Sequence, residues 1–576
     1  EDKFVALYAI PIDGGESRRV YTHGADIEGF EVSPDGRHIA FLATDAAPER
    51  QDDLEGKGFK AVVYAESARP TRVWLLDLLN EVPQARSAEL DGSATELHWA
   101  PDGGRYVVAL APTPSIDDFY VSRRLHVVDA LEGRVLNRIE NVGKLGALAW
   151  SPDGARVAYV GAEDINDPLE GRVFLAAADG EGITNLTPDY PGHVAGIAWR
   201  DADTIWYRGA RGVWTEIGSL DVSGLSVTAT PPAGGPIVRA FDAAPGSAVM
   251  AVIADTPEHP REVYAWSEAD GYRRLTNSNP ALGNRSLARQ EVVRYVARDG
   301  LEIEGILLRP LQSRRGQRHP LILVAHGGPE AHYSNGWISG YSVPAHAMAA
   351  SGYALYYPNY RASTGRGVEF SKLDHGDPAG REFDDLVDAK EHLVSTGLVD
   401  PARVGITGGS YGGFATMWGA TALTEHFAAA VAFVGIANLA SKVVSGDIPN
   451  ELYLVHLRRW PWEDWSFALQ RSPVYHADKA RTPLLILVGA NDTRVNPSQS
   501  LELYEHIKLR TDTPVRLVRY PGEGHGNRNT AAQLDYALRM TRWMDHYLMG
   551  PGGAPPPHEL PHAERLAGAE AADGEE

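Results

Sequence analysis

The first half of the chain repeats a pattern in which two runs of alternating hydrophobic and polar residues flank a polar turn. The copies are GFEVSPDGRHIAFLA, LHWAPDGGRYVVALA, ALAWSPDGARVAYVGA and the degraded GIAWRDADTIWYRGA. A period of two predicts strands with one buried face, and Pro-Asp-Gly predicts the turn between them, so each copy is a β-hairpin. Asp35, Asp102 and Asp153 precede glycines that can adopt the positive φ of such turns.

These hairpins recur at the interval of a repeat architecture. Another strand pair follows each hairpin, and the later copies begin about 50 residues apart, which is the length of one four-stranded propeller blade. We predict about five complete blades, preceded by the second half of a blade whose first half is absent. Residues 1–285 are therefore assigned to an N-terminal all-β propeller, incomplete at its N-terminus.

The pattern changes near residue 286, where alternation gives way to continuous apolar runs separated by helical stretches. The runs are LILVAHGGP, YALYYPNYR, RVGITGGS, AAAVAFVGIAN, PLLILVGANDTRV and PVRLVRYPGEGHG. Continuous apolar strands are typical of parallel sheets buried on both faces. Between them, REFDDLVDAKEHLVSTG carries an apolar stripe at helical spacing. We predict a doubly wound, mostly parallel α/β-hydrolase domain over residues 286–549.

Composition narrows the classes of function and partner. The 576 residues exceed what one core supports. The net charge of -22 argues against nucleic acid as a partner, because phosphate binding needs clustered basic residues. The chain contains no run of 18 or more apolar residues, so its sequence does not predict a membrane span. Zero cysteines exclude disulfides, thiolate metal sites and a cysteine nucleophile. The tail over residues 550–576 has six acids against one arginine and no aromatic residue, which predicts disorder.

Four glycines crowd a single serine in RVGITGGSYGGFATM. Gly408, Ser410 and Gly412 form G-x-S-x-G between a predicted strand and a predicted helix, which is the context of a nucleophile elbow. A Cβ on either flank of so tight a turn would collide with the backbone. Ser410 is therefore the predicted nucleophile, and the alternative is a simple strand-to-helix loop.

A serine nucleophile needs a base and an acid that orients the base. In this fold they follow the serine in the order acid then histidine, at the ends of later strands. Asp492 follows LLILV and His525 follows VRLVRY, both in loops that contain glycine. Asp447 and Asp478 are rival acids, but neither directly follows an apolar strand.

The oxyanion of the tetrahedral intermediate needs fixed donors, each contributing about 3 to 4 kcal/mol. One predicted donor is the backbone N–H of Tyr411, the residue after the nucleophile. The other is the N–H of Gly328, since His326-Gly327-Gly328-Pro329 follows the strand LILVA in the manner of an oxyanion loop.

Together these features resemble the prolyl oligopeptidase family, and within it the acylaminoacyl peptidases. The resemblance is carried by the propeller repeats, HGGP, NYRASTGRG, GGSYGG, NDTRV and GEGHG. It implies a seven-bladed propeller that covers the active site and admits short peptides. It also implies hydrolysis through an acyl-enzyme with Ser410, His525 and Asp492, and no cofactor or metal.

The end of the peptide that is recognised stays open at this point. Arg458 and Arg459 lie between the serine and the acid, and Arg361 lies in NYRASTGRG; a guanidinium can bind a carboxylate in bidentate fashion. Binding of a substrate C-terminus would make the enzyme a serine carboxypeptidase, while pairing of Arg458 and Arg459 with Glu451, Glu463 or Asp464 would make them structural. Nearby, Trp460 is a candidate wall of an apolar pocket.

The bond that is cleaved and the cellular setting are open as well. The same three residues suit an esterase, because they do not by themselves select amide over ester. A binding protein with an inactive hydrolase domain would not need them. Short peptides are the expected partners, without nucleic acid or membrane, and a homo-oligomer is left open. The start EDKFVALYAI lacks Met and an apolar leader. Cytoplasm is therefore a default expectation that leaves open an upstream signal peptide.

Overall fold

A computed structural model describes residues 4–80, 83–222, 227–228, 234–244 and 246–560. In these residues the first half of the chain forms five antiparallel four-stranded sheets and one two-stranded sheet at the start. The repeats predict this arrangement, including the half blade that precedes the complete ones.

The strands of the propeller are short, as expected for blades. Their bounds are β1 Leu7–Ala9, β2 Arg18–Tyr21, β3 Gly29–Val32, β4 His38–Thr44, β5 Thr71–Asp77, β6 Ala85–Ser87, β7 Ser93–Trp99, β8 Arg105–Ala111, β9 Arg124–Asp129, β10 Val135–Ile139, β11 Leu145–Trp150, β12 Arg156–Gly161, β13 Arg172–Ala177, β14 Thr184–Asn185, β15 His193–Trp199, β16 Thr204–Arg211, β17 Trp214–Asp221, β18 Val227–Thr228, β19 Ile237–Asp242, β20 Met250–Thr256, β21 His259–Ser267 and β22 Gly271–Arg274. Strands β1 and β2 form the half blade, and the complete blades are β3 to β6, β7 to β10, β11 to β14, β15 to β18 and β19 to β22.

A tryptophan just before the turn of three of the repeated phrases connects neighbouring blades. Trp99, Trp150 and Trp199 close the first strands of three successive blades and are mostly buried. The indole N–H of Trp150 donates to the His98 carbonyl in the preceding blade at 3.0 Å, and that of Trp199 donates to Ala149 at 3.2 Å. A buried indole needs such a partner, so the repeat in the sequence encodes the contact between blades.

The second half contains one eight-stranded sheet. The bounds of its strands are β23 Gln290–Val296, β24 Glu302–Leu308, β25 His319–Ala325, β26 Ala354–Asn359, β27 Val399–Gly409, β28 Ala429–Phe433, β29 Leu484–Gly489 and β30 Val515–Tyr520. Their order in the sheet is β23-β24-β26-β25-β27-β28-β29-β30. The pairs from β26 to β30 are parallel, and β23-β24 and β24-β26 are antiparallel.

Helices cover both faces of this sheet, which explains its continuous apolar strands. The helices of the chain are α1 Glu49–Gly56, α2 Ile116–Val121, α3 Ala345–Ala350, α4 Val368–Ser371, α5 Arg381–Ser395, α6 Tyr411–Thr421, α7 Leu439–Ser445, α8 Pro449–Leu452, α9 Trp465–Gln470, α10 Ser498–Arg510 and α11 Thr530–Met544. Along β25, Leu321 and Leu323 pack into the core beneath α5, α6 and α10, whereas Ile322 and Val324 pack into the core beneath α3 and α11.

Buried polar contacts join the propeller to the hydrolase domain. Asp117 in α2 accepts hydrogen bonds from the backbone N–H groups of Asn450 and Glu451, each at 2.9 Å. Glu170 accepts from the N–H groups of Gly365 and Gly367 at 2.8 and 2.9 Å. Burial raises the pKa of Glu170 to about 7. The two domains are thus held together by groups that water does not reach.

The segment after the last helix lies along the hydrolase domain for its first part. Arg516 and Arg539 donate to the carbonyls of Pro556 and His558, at 2.7 and 2.8 Å. Residues 561–576, the larger part of the tail predicted to be disordered, lie outside the described residues. Within the described part of the chain, no helix combines the length and the apolar character that crossing a membrane requires.

Candidate active site

Ser410 occupies a strained turn between β27 and α6. Its φ is 58° and its ψ is -120°, a conformation that non-glycine residues rarely adopt. A Cβ at Gly408 or Gly412 would overlap the carbonyl oxygen of Ala325 on the neighbouring strand. The two glycines therefore let β27 and α6 approach β25 closely, and the turn leaves the Ser410 side chain partly exposed.

His525 and Asp492 meet at the ends of the last two strands. The Nδ1 atom of His525 lies 2.8 Å from Oδ2 of Asp492. Asp492 is fully buried at its side chain, while the side chain of His525 keeps 28% of its exposure. An imidazole held by a carboxylate at Nδ1 presents Nε2 as an acceptor, which is what a general base for a serine requires.

The backbone after Asp492 fixes the carboxylate in place. Its Oδ1 accepts the N–H groups of Arg494 and Val495 at 2.9 and 3.0 Å, which leaves Oδ2 for His525. The two rival acids have other partners: Asp447 binds Arg494 at 2.6 Å, and Asp478 binds Arg510 at 3.0 Å.

Ser410 and His525 line one cavity of about 400 Å³ at the junction of the two domains. Its wall is contributed by both: Tyr120 comes from the propeller, and Gly328 and Tyr411 come from the hydrolase domain. The apolar part of the lining consists of Ile436, Ile448, Leu452 and Val495. Residues of both domains therefore bound the space next to Ser410.

The loop predicted to stabilise the oxyanion is anchored by a buried histidine. The ring of His326 stacks on Tyr360 with 4.3 Å between centroids and lies 2.8 Å from the Ser363 hydroxyl. Burial lowers the pKa of His326 to about 4, so the ring is neutral. Gly328, at a φ of 113°, reaches the cavity wall, and Tyr411 as the first residue of α6 has a backbone N–H without an intrahelical acceptor.

Four charged groups lie beneath this loop. The ammonium of Lys144, from the propeller, lies 2.9 Å from Glu330 and 2.6 Å from Glu451, and His456 Nε2 lies 3.2 Å from Glu330. Burial opposes the charged form of Glu330, but Lys144 and His456 outweigh it and hold its pKa well below the usual value. Burial likewise opposes charge on His456, and the carboxylates still raise its pKa well above the usual value.

The same group is the one described cluster with the geometry to surround a metal ion. The ligand atoms of Glu330, Glu451 and His456 lie within 4.8 Å of one another. The Lys144 ammonium contacts both carboxylates, however, so the protein supplies its own cation there.

Arg361 is not a substrate anchor, and that prediction is wrong. Its side chain is 4% exposed, and it forms bidentate pairs with Asp385 at 2.7 and 2.8 Å and with Asp299 at 2.8 and 3.1 Å. The two carboxylates therefore occupy the hydrogen-bond donors of the guanidinium group. Its place in the molecule is structural, between the start of the hydrolase domain and α5.

Arg458, Arg459 and Trp460 also lie outside the described lining of the Ser410 cavity, contrary to their prediction as binding residues. Both arginines are exposed; Arg458 donates to the Leu454 carbonyl at 2.9 Å, and Arg459 lies over the ring of Phe467. Trp460 stacks between Tyr453 and Trp462, at 4.5 and 4.9 Å. These two rings cover the faces of the indole, so Trp460 packs without a substrate.

We expect Arg458→Ala and Arg459→Ala to change kcat/KM for short peptides by less than about threefold, since exposed side chains away from the chemistry have small effects. Steady-state kinetics on matched peptides with free and amidated C-termini would measure this. A loss of discrimination between the two peptides in either variant would place the arginines in the binding site after all.

Several residues that line the cavity were not singled out from the sequence. Glu330 directly follows HGGP and Arg494 is the fourth residue of NDTRV, so one is adjacent to a recognised motif and the other is inside one. Lys442, Glu451 and His456 fall in a segment without a motif. Their approach to Ser410 depends on how α7 and α8 fold back over the sheet, and a single sequence carries no pattern for it.

The chain is similar to a known protein family, to curated proteins and to solved structures. The model of the prolyl oligopeptidase family matches residues 340–550, which include Ser410, Asp492 and His525. An uncharacterized peptidase, YuxL of Bacillus subtilis, is 32% identical over 54% of this chain and 47% of its own length. The acylamino-acid-releasing enzyme of Sus scrofa is 30% identical over 45% of this chain and 35% of its own.

Among solved structures, the acylaminoacyl peptidase of Pyrococcus horikoshii aligns with a TM-score of 0.79 at 20% identity, covering 97% of this chain and 87% of that one. This likeness shows the fold, a β-propeller followed by an α/β-hydrolase domain. The chain spans about half or less of the length of the two curated relatives named above. Over residues 340–550 it carries a domain of the prolyl oligopeptidase family.

Proposed function

We propose that the protein is a serine peptidase that hydrolyses short peptides through an acyl-enzyme, in the manner of acylaminoacyl peptidases and oligopeptidases. The observation that carries this proposal is the pair formed by His525 and Asp492 at 2.8 Å, with His525 and the strained Ser410 on one cavity. Family membership of the domain and the Sus scrofa relative support the same class of reaction.

In the proposed reaction, His525 transfers protons and two backbone N–H groups stabilise the negative charge that forms on the carbonyl oxygen. Ser410 Oγ attacks the scissile carbonyl while His525 Nε2 takes its proton, and the N–H groups of Tyr411 and Gly328 stabilise the oxyanion. His525 then gives the proton to the leaving amine as the C–N bond breaks. Water, deprotonated by His525, releases the acyl group from Ser410.

The charge pattern next to Ser410 favours peptides without a free N-terminal ammonium in the site. Two carboxylates near a serine could bind such an ammonium, but Glu330 and Glu451 already share the ammonium of Lys144. Bringing a second cation beside Lys144 and the charged His456 would be repulsive. We therefore propose blocked or internal residues as the acyl part of the substrate.

The propeller supports a restriction on substrate size. Tyr120 and Lys144 place propeller residues against the hydrolase domain at the cavity, and a second cavity of about 500 Å³ shares Tyr120 and Glu330 with it. Both spaces lie where the two domains meet, which favours short peptides over long chains.

The test compares one short peptide with an acetylated and with a free N-terminus, its ester analogue, and a denatured protein. We expect the acetylated peptide to be cleaved at least as well as the free one, and the denatured protein to be cleaved poorly. Release of dipeptides only from free N-termini would contradict the blocked-substrate proposal. Hydrolysis of the ester alone would contradict peptidase activity.

A further inference from the structure

One buried cation at the cavity of Ser410 has no counter-ion in the described part of the chain. Lys442 in α7 is 1% exposed and lines the cavity that contains Ser410 and His525. Among the residues that the structure describes, its Nζ has neither a hydrogen-bond acceptor nor an ion-pair partner within 4.0 Å. An unpaired buried ammonium is costly to a fold, so its retention beside the proposed nucleophile requires an explanation.

The charged groups around Lys442 are committed to other partners. Asp447 binds Arg494 at 2.6 Å, Asp492 binds His525, and Glu451 binds Lys144. Arg494 contributes a further positive charge to the cavity lining. The charge left without a partner in this cavity is therefore the ammonium of Lys442.

The local backbone holds this ammonium close to the chain. A Cβ at Gly446 would lie 2.6 Å from Lys442 Nζ, so the glycine leaves the space that the end of the lysine occupies. Burial lowers the pKa of Lys442 to about 8, with weaker influences from Asp447, Arg494, Glu451 and Asp492. At neutral pH the group is still mostly protonated and can bind an anion.

We propose that Lys442 binds a carboxylate of the peptide substrate, which makes it a specificity-determining residue of the Ser410 cavity. This inference rests on the proposed peptidase function. Two sources could supply the carboxylate: the C-terminus of a short substrate, or an Asp or Glu side chain beside the scissile bond. The sequence predicted that arginines bind the substrate carboxylate. We assign that role to a buried lysine that lines the cavity.

The test uses a set of N-acetylated peptides with the wild type, Lys442→Met and Lys442→Arg. The set comprises acetyl-Phe-Ala with a free carboxylate, its neutral amide, and the amides of acetyl-Phe-Glu and acetyl-Glu-Ala. Met matches the length of Lys without its charge, and Arg keeps the charge. Lys508→Met, on the exposed surface of α10, is the matched control for loss of one positive charge.

We expect the wild type to cleave at least one carboxylate-bearing peptide about tenfold or more faster, in kcat/KM, than the neutral amide, because hydrogen bonds to charged groups are of that strength. Lys442→Met should remove the preference and leave cleavage of the neutral amide within a few fold. Lys442→Arg should keep part of it. The peptide that is preferred identifies the source of the carboxylate.

Stability gives a second measurement. The pKa of Lys442 is about 8 in the fold, against about 10.4 for a lysine in the unfolded chain. Between these pH values unfolding takes up a proton, so the free energy of unfolding rises with pH. Below about pH 8 the destabilisation caused by burying the charged lysine is complete. Lys442→Met should therefore melt higher than the wild type at pH 7, with a difference that shrinks toward pH 10. This check also shows that the variant is folded.

The outcomes separate the two proposals. No carboxylate preference in the wild type, or a preference that survives in Lys442→Met, overturns the role of Lys442 while cleavage of the neutral amide still supports the peptidase. A Lys442→Met variant that melts lower than the wild type at pH 7 shows a paired, structural lysine and overturns the inference as well. Failure to cleave any of the peptides counts against the proposed function itself.

Discussion

Replacement of Ser410 with alanine is expected to lower kcat for peptide hydrolysis by at least about 10⁴-fold, as loss of the nucleophile does in serine peptidases. The reason is that no other hydroxyl takes its place at the elbow, where the strained backbone directs one side chain into the cavity. Labelling by an organophosphorus reagent, followed by mass spectrometry, should find the adduct on Ser410 in the wild type and none in the variant.

The control for this experiment is Ser466→Ala, since Ser466 is exposed at α9 and lies away from the cavity lining. Activity and labelling should be unchanged in it. Melting curves of Ser410→Ala should match those of the wild type or lie slightly above, because alanine removes none of the backbone contacts that hold the turn. Labelling that persists in Ser410→Ala would show that another residue is the nucleophile.

Asp492→Asn should lower kcat by about 10⁴-fold with little change in fold, through the tautomer of His525. The Oδ1 atom of Asn can keep the N–H groups of Arg494 and Val495, so its NH₂ group would face Nδ1 of His525. Nδ1 must then accept, which moves the ring proton to Nε2. A protonated Nε2 cannot take the proton of Ser410.

The measurement is kcat for the acetylated peptide, with Asp478→Asn as the matched substitution. Asp478 pairs with Arg510 near the surface, so its change should leave kcat within a few fold. If Asp478→Asn or Asp447→Asn were as damaging as Asp492→Asn, the orienting role would not belong to Asp492 alone. Retained activity in Asp492→Asn would remove it from the mechanism.

Positions at the ends of parallel strands can be predicted from the sequence because they follow from strand order. Ser410 directly follows β27, and Asp492 and His525 lie in the loops after β29 and β30. Parallel strands bring their carboxyl ends to one edge of the sheet. The propeller repeats are equally local, since a hairpin and its turn lie within about 15 residues. For such features the local sequence pattern is enough to predict the position in the structure.

The residues that the sequence predicts poorly depend on distant partners. Arg361 looks available in NYRASTGRG, yet its carboxylates at Asp299 and Asp385 lie 62 and 24 positions away. Conversely, Lys442 lies in an apolar helix and would ordinarily be expected to reach solvent. Whether a charge is paired is decided by tertiary packing, so a single sequence does not settle which cation is free for substrate.

The charged group formed by Lys144, Glu330, Glu451 and His456 makes the two domains depend on each other. Lys144 belongs to the propeller, whereas Glu330 and Glu451 belong to the hydrolase domain; Lys144 and Glu451 are buried, and Glu330 is mostly buried. If the propeller were exchanged for one with a neutral residue at this position, Glu330 and Glu451 would keep only His456 as a cation, and His456 also pairs with the buried Asp374 at 3.3 Å. Recombination between family members should therefore succeed only where the lysine and its acidic partners are inherited together.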